Sequence, residues 1–325
     1  MAGDVWIRRV RRGIVKNAGH CLTWLGLTVC LFWSPLAAAG MPGIARTERT
    51  QQKDRRVVAD RLQPTKNPSQ RDDSFLDAVG AVWSYGVDKS GARYPASTGV
   101  HAAIGFLIDR CHVLTNMHVA YTDAVVVDPP LAHSVAFAVG QTESERDRGA
   151  LQGLKFLLQG TVVAHGEALI VDGVIRNPAD DWAVIRLARN VESTITPMTV
   201  EAVDLAQLPR FLALSSAGYP SDHRTGRGDG FKLKDLWRSE GEVVAVTPVS
   251  STAALIQTTI QTTPGNSGGP IFGDFNGHQH AVIGIVQSIR GNGIDVSQSE
   301  PNVGLVFTAS TIARITAAQA EDRCR

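Results

Sequence analysis

From Ser74 onward the chain is a succession of short apolar, often β-branched runs cut by Gly, Pro, Asn and Asp, and this texture constrains the fold more than any other feature. The candidate strands are 104–108, 112–115, 124–127, 134–139, 161–164, 182–187, 211–215, 241–246, 255–259, 281–287 and 303–307. Runs of this length are too short for packed helices, and turn residues at their ends predict an all-β sandwich or barrel. Strands do not alternate with helical patterns, which argues against a parallel α/β sheet. Thr308 to Ala320 differs: Ile312 and Ile315 lie one helical turn apart, alanines fill much of the rest, and Thr308 or Ser310 can cap the first turn. A C-terminal helix is expected there. The sequence shows no internal repeat and no zinc-type cysteine spacing.

The first 73 residues have another character. Arg8, Arg9, Arg11, Arg12 and Lys16 form a basic start, residues 21–39 carry no charge, and Ala37-Ala38-Ala39 supplies small residues for cleavage. Residues 1–39 read as a signal peptide of an exported protein, periplasmic or extracellular, with an uncleaved anchor through 21–39 as the alternative. Residues 40–73 turn to Arg, Lys, Asp, Gln and Pro with few aliphatics, as expected of a linker or pro-segment. The globular domain is then 74–325. A net charge of +1 and an apolar content of 43% give no support to nucleic-acid binding or to a disordered chain. Cys21 and Cys30 would leave with the signal, while Cys111 and Cys324 would remain and are able to pair in an oxidising compartment. A free, buried Cys111 is the other reading.

Three motifs carry chemistry. Gly265-Asn266-Ser267-Gly268-Gly269-Pro270 places a serine in a glycine turn where backbone N–H groups can face a reacting carbonyl. A serine hydroxyl needs a base, and the base needs a group to orient it. Thr115-Asn116-Met117-His118-Val119-Ala120 puts His118 just beyond an apolar strand, and Asp180-Asp181-Trp182 runs into the strand that ends at Leu187. Taken singly, the histidine reads as structural and the aspartate as a cap. Their order along the chain makes them a set.

His118, Asp181 and Ser267, each in its own context, resemble the trypsin-like (chymotrypsin-fold) serine peptidases, and in particular their bacterial secreted members. Gly218-Tyr219-Pro220 adds to the likeness. The resemblance implies two six-stranded antiparallel β-barrels, about 74–193 and 194–308, followed by a helix over about 309–322. It implies that Ser267 is the nucleophile, His118 the general base and Asp181 its orienting acid, with the Gly265 and Ser267 N–H groups as the oxyanion hole. One departure stands out: Asn266 occupies the position where animal zymogens carry the aspartate that binds a newly freed N-terminus. Activation by N-terminal insertion is therefore not expected.

The same resemblance borders the specificity pocket with Gln261, Thr262 and Pro264 before the serine and with Ile285, Val286, Gln287 and Ser288 after it. Gln261 stands where trypsins carry an aspartate, so basic specificity is not expected. Thr262 is similar to the glutamyl endopeptidases, but Val286 stands where those enzymes use a histidine, and a medium-sized or mixed apolar preference is favoured. The expected partner is a protein or peptide substrate, with no cofactor and no metal. His278 and His280 lack further ligands, and Arg227-Gly228-Asp229 suits a loop. Two rivals to an exported endopeptidase are a catalytically silent peptide-binding homologue and a membrane-anchored quality-control protease.

Overall fold

The computed structural model describes residues 57–58, 74–85, 101–120, 134–139, 158–171, 174–219, 236–250, 253–288 and 299–324. The signal-peptide reading of 1–39 and the candidate strand 124–127 lie outside the described residues. In chain order the first barrel follows a two-residue strand β1 (Val57–Val58) and is built from β2 (Val79–Tyr85), β3 (His101–Leu107), β4 (His112–Thr115), β5 (Ser134–Val139), β6 (Leu158–His165) and β9 (Ala183–Leu187). The short helix α1 (Met117–Ala120) follows β4, and a hairpin of β7 (Leu169–Val171) and β8 (Val174–Arg176) precedes β9. The six strands close in the order β2-β3-β4-β9-β6-β5, all pairs antiparallel. Closure removes exposed edges, which is how so many short strands are stabilised together. Gly80 shows how tightly the strands pack, since a Cβ there would stand 2.2 Å from the Ala138 carbonyl and 2.7 Å from the Phe137 ring.

The second barrel uses β10 (Ala213–Gly218), β11 (Trp237–Pro248), β12 (Ala254–Thr258), β13 (Pro270–Phe275), β14 (His278–Ser288) and β15 (Asn302–Val306). Its ring runs β11-β10-β13-β14-β15-β12 and closes through the β11–β12 pairing. The fold is thus two closed six-stranded antiparallel barrels. Two residues of the expected linker, Val57 and Val58, add to it by pairing with Arg238 and Trp237 of β11. A large apolar cluster runs from Leu76, Phe106 and Trp182 of the first barrel to Phe272, Ile285 and Phe307 of the second. A separate cluster with Val243, Ile256, Ile271 and Ile283 fills the second barrel. Burial of these side chains is the main force joining the two halves.

The expected C-terminal helix is α2 (Ala309–Glu321), with Thr308 as its N-cap, the hydroxyl accepting from Thr311 N–H at 3.3 Å. Its far end is fastened to the first barrel. Cys324 and Cys111 form a disulfide with 5.6 Å between Cα atoms, Arg186 Nε donates to the Asp322 carbonyl at 3.2 Å, and the Gln319 amide donates to Asp109 Oδ2 at 2.8 Å. Asp109 also accepts the Cys111 and His112 N–H groups and lies 2.7 Å from His112 Nδ1. Burial raises the Asp109 pKa, but the hydrogen bonds from His112, Cys111 and Gln319, with the His112 charge, outweigh it and lower the pKa from 3.8 to about 2. Among the described residues no helix is long and apolar enough to cross a membrane.

Candidate active site

The β4 strand ends at Thr115 in a wholly buried run, and the chain turns at once into α1, which carries His118. Asp181 arrives from the other direction. Asn177 adopts a left-handed conformation with φ 53°, a 3-10 turn spans Pro178–Asp180, and Asp181 follows just before β9. Because β4 and β9 are neighbours, paired from His112↔Arg186 to Thr115↔Ala183, residues 63 apart in sequence meet. His118 Nδ1 lies 2.6 Å from Asp181 Oδ2, and the His118 backbone N–H donates to Asp181 Oδ1 at 2.9 Å. The Asp181 side chain is 1% exposed and that of His118 22% exposed. The carboxylate is therefore sealed in, while the imidazole reaches solvent. The sequence offered two adjacent acids, and the structure separates them: Asp180 accepts from Trp182 Nε1 and the Glu167 N–H, and Asp181 takes the histidine.

Ser267 lies in a turn between β12 and β13 on the second barrel. The turn is docked on the first barrel through the Ile104 N–H, which donates to the Ser267 carbonyl at 2.9 Å. Gly268 has φ +79°, and a Cβ there would fall 2.2 Å from the Ile104 carbonyl, 2.3 Å from Thr115 Oγ1 and 3.2 Å from Asn116 N. Only glycine fits, and its fit sets the serine turn against the segment that leads into His118. Within the turn, Asn266 N–H bonds to the Thr263 carbonyl, Gly268 N–H to the Val286 carbonyl and Gly269 N–H to the Asn266 carbonyl. The Gly265 and Ser267 N–H groups have no partner among the described residues. Ser267 Oγ makes no hydrogen bond to His118.

Two supporting side chains went unread in the sequence. Asn116 Nδ2 donates to the Asp181 carbonyl at 2.8 Å, and the Gln287 amide, assigned above to the pocket, approaches Asp181 Oδ2 at 3.5 Å. Asn116 lies inside the histidine motif, so its proximity was legible and its role was not. Of the residues expected to border the specificity pocket, Gln261, Thr262, Ile285, Val286 and Gln287 are buried and Pro264 is exposed. Gln261 N–H donates to Ser239 Oγ at 2.9 Å, and Asn302 Nδ2 reaches Thr262 Oγ1 at 3.4 Å. Ser288 stands where the β14–β15 register shifts.

Twin antiparallel barrels, a buried acid holding a histidine and a serine in a glycine turn between them define a serine-type peptidase of the chymotrypsin fold. The trypsin family model matches residues 83–303, more than half of the chain. The chain belongs to the trypsin family. Its structure is similar to that of a Glu endopeptidase in complex with MPD, at 21% identity and TM-score 0.50 over 82% of this chain and 98% of that one. A protease from M. tuberculosis in its active form matches at 17% identity and TM-score 0.45, over 78% of this chain and 83% of that one. The HtrA-type protease AlgW with a decapeptide matches at 15% and TM-score 0.40, over 75% and 64%. No curated protein matches the sequence.

Proposed function

We propose that this chain is an exported serine endopeptidase that cuts peptide bonds through Ser267, His118 and Asp181 and an acyl-enzyme intermediate. The observation that carries the reading is the two-point contact of Asp181 with His118, through ring nitrogen and backbone N–H, beside the Ser267 turn. Asp181 fixes the tautomer with the proton on Nδ1, which leaves Nε2 as the base. Substrate seated in the cleft brings the Ser267 hydroxyl to Nε2, contacts of this kind being commonly long in a free enzyme. His118 takes the proton as Ser267 Oγ attacks, then delivers it to the leaving amine, and water repeats the sequence on the ester. The Gly265 and Ser267 N–H groups, the turn's two donors without partners among the described residues, suit the developing oxyanion, each such donor contributing about 2.7–4 kcal/mol.

Residues 1–39 are taken as the export signal, 40–73 as a linker or pro-segment and 74–325 as the catalytic domain. The substrate is a protein or peptide, with a medium-sized or mixed apolar residue favoured at the cut. A fluorophosphonate probe should label the wild type at Ser267 and leave Ser267→Ala unlabelled. A folded wild type that never labels would instead favour a silent peptide-binding homologue.

A further inference from the structure

The segment that carries Asp181 is gripped by a side chain from the far end of the chain. Arg314 on α2 donates from Nη1 to both Asp180 carboxylate oxygens at 3.3 and 3.4 Å and from Nη2 to the His165 carbonyl at 2.9 Å. Its guanidinium carbon stands 4.8 Å from the centroid of the Trp182 ring. One side chain thus touches the residue before Asp181, the residue after it and the end of β6. Asp180 is itself bound to Trp182 Nε1 and the Glu167 N–H, both at 2.7 Å, and the Gly166 N–H bonds to the Trp182 carbonyl at 2.8 Å.

The geometry points to Arg314 as a positioning residue: through Asp180 and Trp182 it holds Asp181 where both carboxylate oxygens meet His118. This rests on the proposed His118–Asp181–Ser267 reading. Arginine suits the task because its planar fork grips a carboxylate and a carbonyl while its face covers an aromatic ring. The Arg314 side chain is 42% exposed and that of Asp180 13%. An ion pair with one partner so exposed contributes little to stability, so its loss should affect placement more than folding. The helix is a firm base for the grip, since Gln319, Asp322 and Cys324 tie its far end to Asp109, Arg186 and Cys111. A misplaced orienting acid slows the proton transfer while leaving the peptide-binding surface intact.

Arg314→Met keeps the aliphatic stem and removes the donors. With active sites counted by titration, kcat should fall about tenfold, while KM stays within about twofold. Arg314→Lys should recover part of the loss. Asp180→Asn should reproduce or exceed it, because it loses the ion pair and leaves one acceptor oxygen where Trp182 Nε1 and the Glu167 N–H each use their own. The low-field proton resonance of His118 Nδ1–H, recorded in a Ser267→Ala background, should shift or broaden in Arg314→Met. That signal is read without turnover, so an inert wild type would sink the catalytic reading and still leave the positioning to be decided. A folded Arg314→Met with unchanged kcat and an unchanged resonance would overturn the proposal.

Discussion

At the residue scale the decisive positions are those where one side chain type is dictated by its surroundings. Asn266 is such a position. It is buried, a Cβ on Gly218 would stand 2.9 Å from its Oδ1, and that oxygen has no hydrogen-bond partner among the described residues. A neutral amide tolerates this, whereas a carboxylate there would be desolvated without a cation. Asn266→Asp should therefore lower the urea midpoint and reduce active-site titration, whether or not residues 40–73 are present. A variant whose activity rose when a new N-terminus was freed would show that the site accepts an ion pair after all. The motif residues were legible because each travels with its local context, Gly268 with its turn and His118 with its strand end. Which of Asp180 and Asp181 meets the histidine follows from the register of β4 against β9.

At the element scale, strand existence was easier to read than strand extent. Leu158–His165, Trp237–Pro248 and His278–Ser288 all start earlier than the runs from 161, 241 and 281 suggest, because backbone pairing continues through polar and glycine residues such as Gln159, Gly160, Arg238, Ser239 and His278. Pro270–Phe275 was hidden by its overlap with the serine motif, and Leu169–Arg176 forms a hairpin apart from both barrels. The turn from Asp109 to His112, where β4 begins and α2 is tied down, gives an element-level prediction. Its carboxyl has a pKa lowered from 3.8 to about 2, so it adds stability above pH 3.8, and that gain disappears as pH falls towards 2. The gain is at most about 2 kcal/mol, reduced by screening because the side chain is 32% exposed. Asp109→Asn keeps an acceptor for the two backbone N–H groups and removes the charge. Urea midpoints of wild type and variant should differ at neutral pH and converge between about pH 4 and pH 2. Parallel curves would contradict the assignment.

At the scale of the whole molecule, the fold class was legible because many short strands have few ways to bury one face, and closing into barrels is one of them. Of the fastening of the chain's end, only the Cys111–Cys324 pair was open to the sequence, as the two cysteines that remain once Cys21 and Cys30 leave, with a free Cys111 as the other reading. Arg314 and Asp180 are 134 residues apart, and Cys111 and Cys324 are 213 apart. No local pattern encodes the Arg314 contact; both contacts exist only once α2 has docked on the first barrel. The same separation makes the disulfide consequential, since a cross-link over so long a loop removes much of the freedom of the unfolded chain. In the chain-entropy account it contributes about 5 kcal/mol at most, with about 2–4 kcal/mol usual. Cys324→Ser should lower the denaturant midpoint accordingly, and a dithiol reductant should bring the wild type down to the same value without further affecting the variant. It should also loosen the base from which Arg314 acts, so at a temperature where both proteins are folded, kcat should fall in the variant while KM holds. A wild type indifferent to reduction, in midpoint and in kcat, would mean that the packing of α2 and its other ties suffice without the covalent bond.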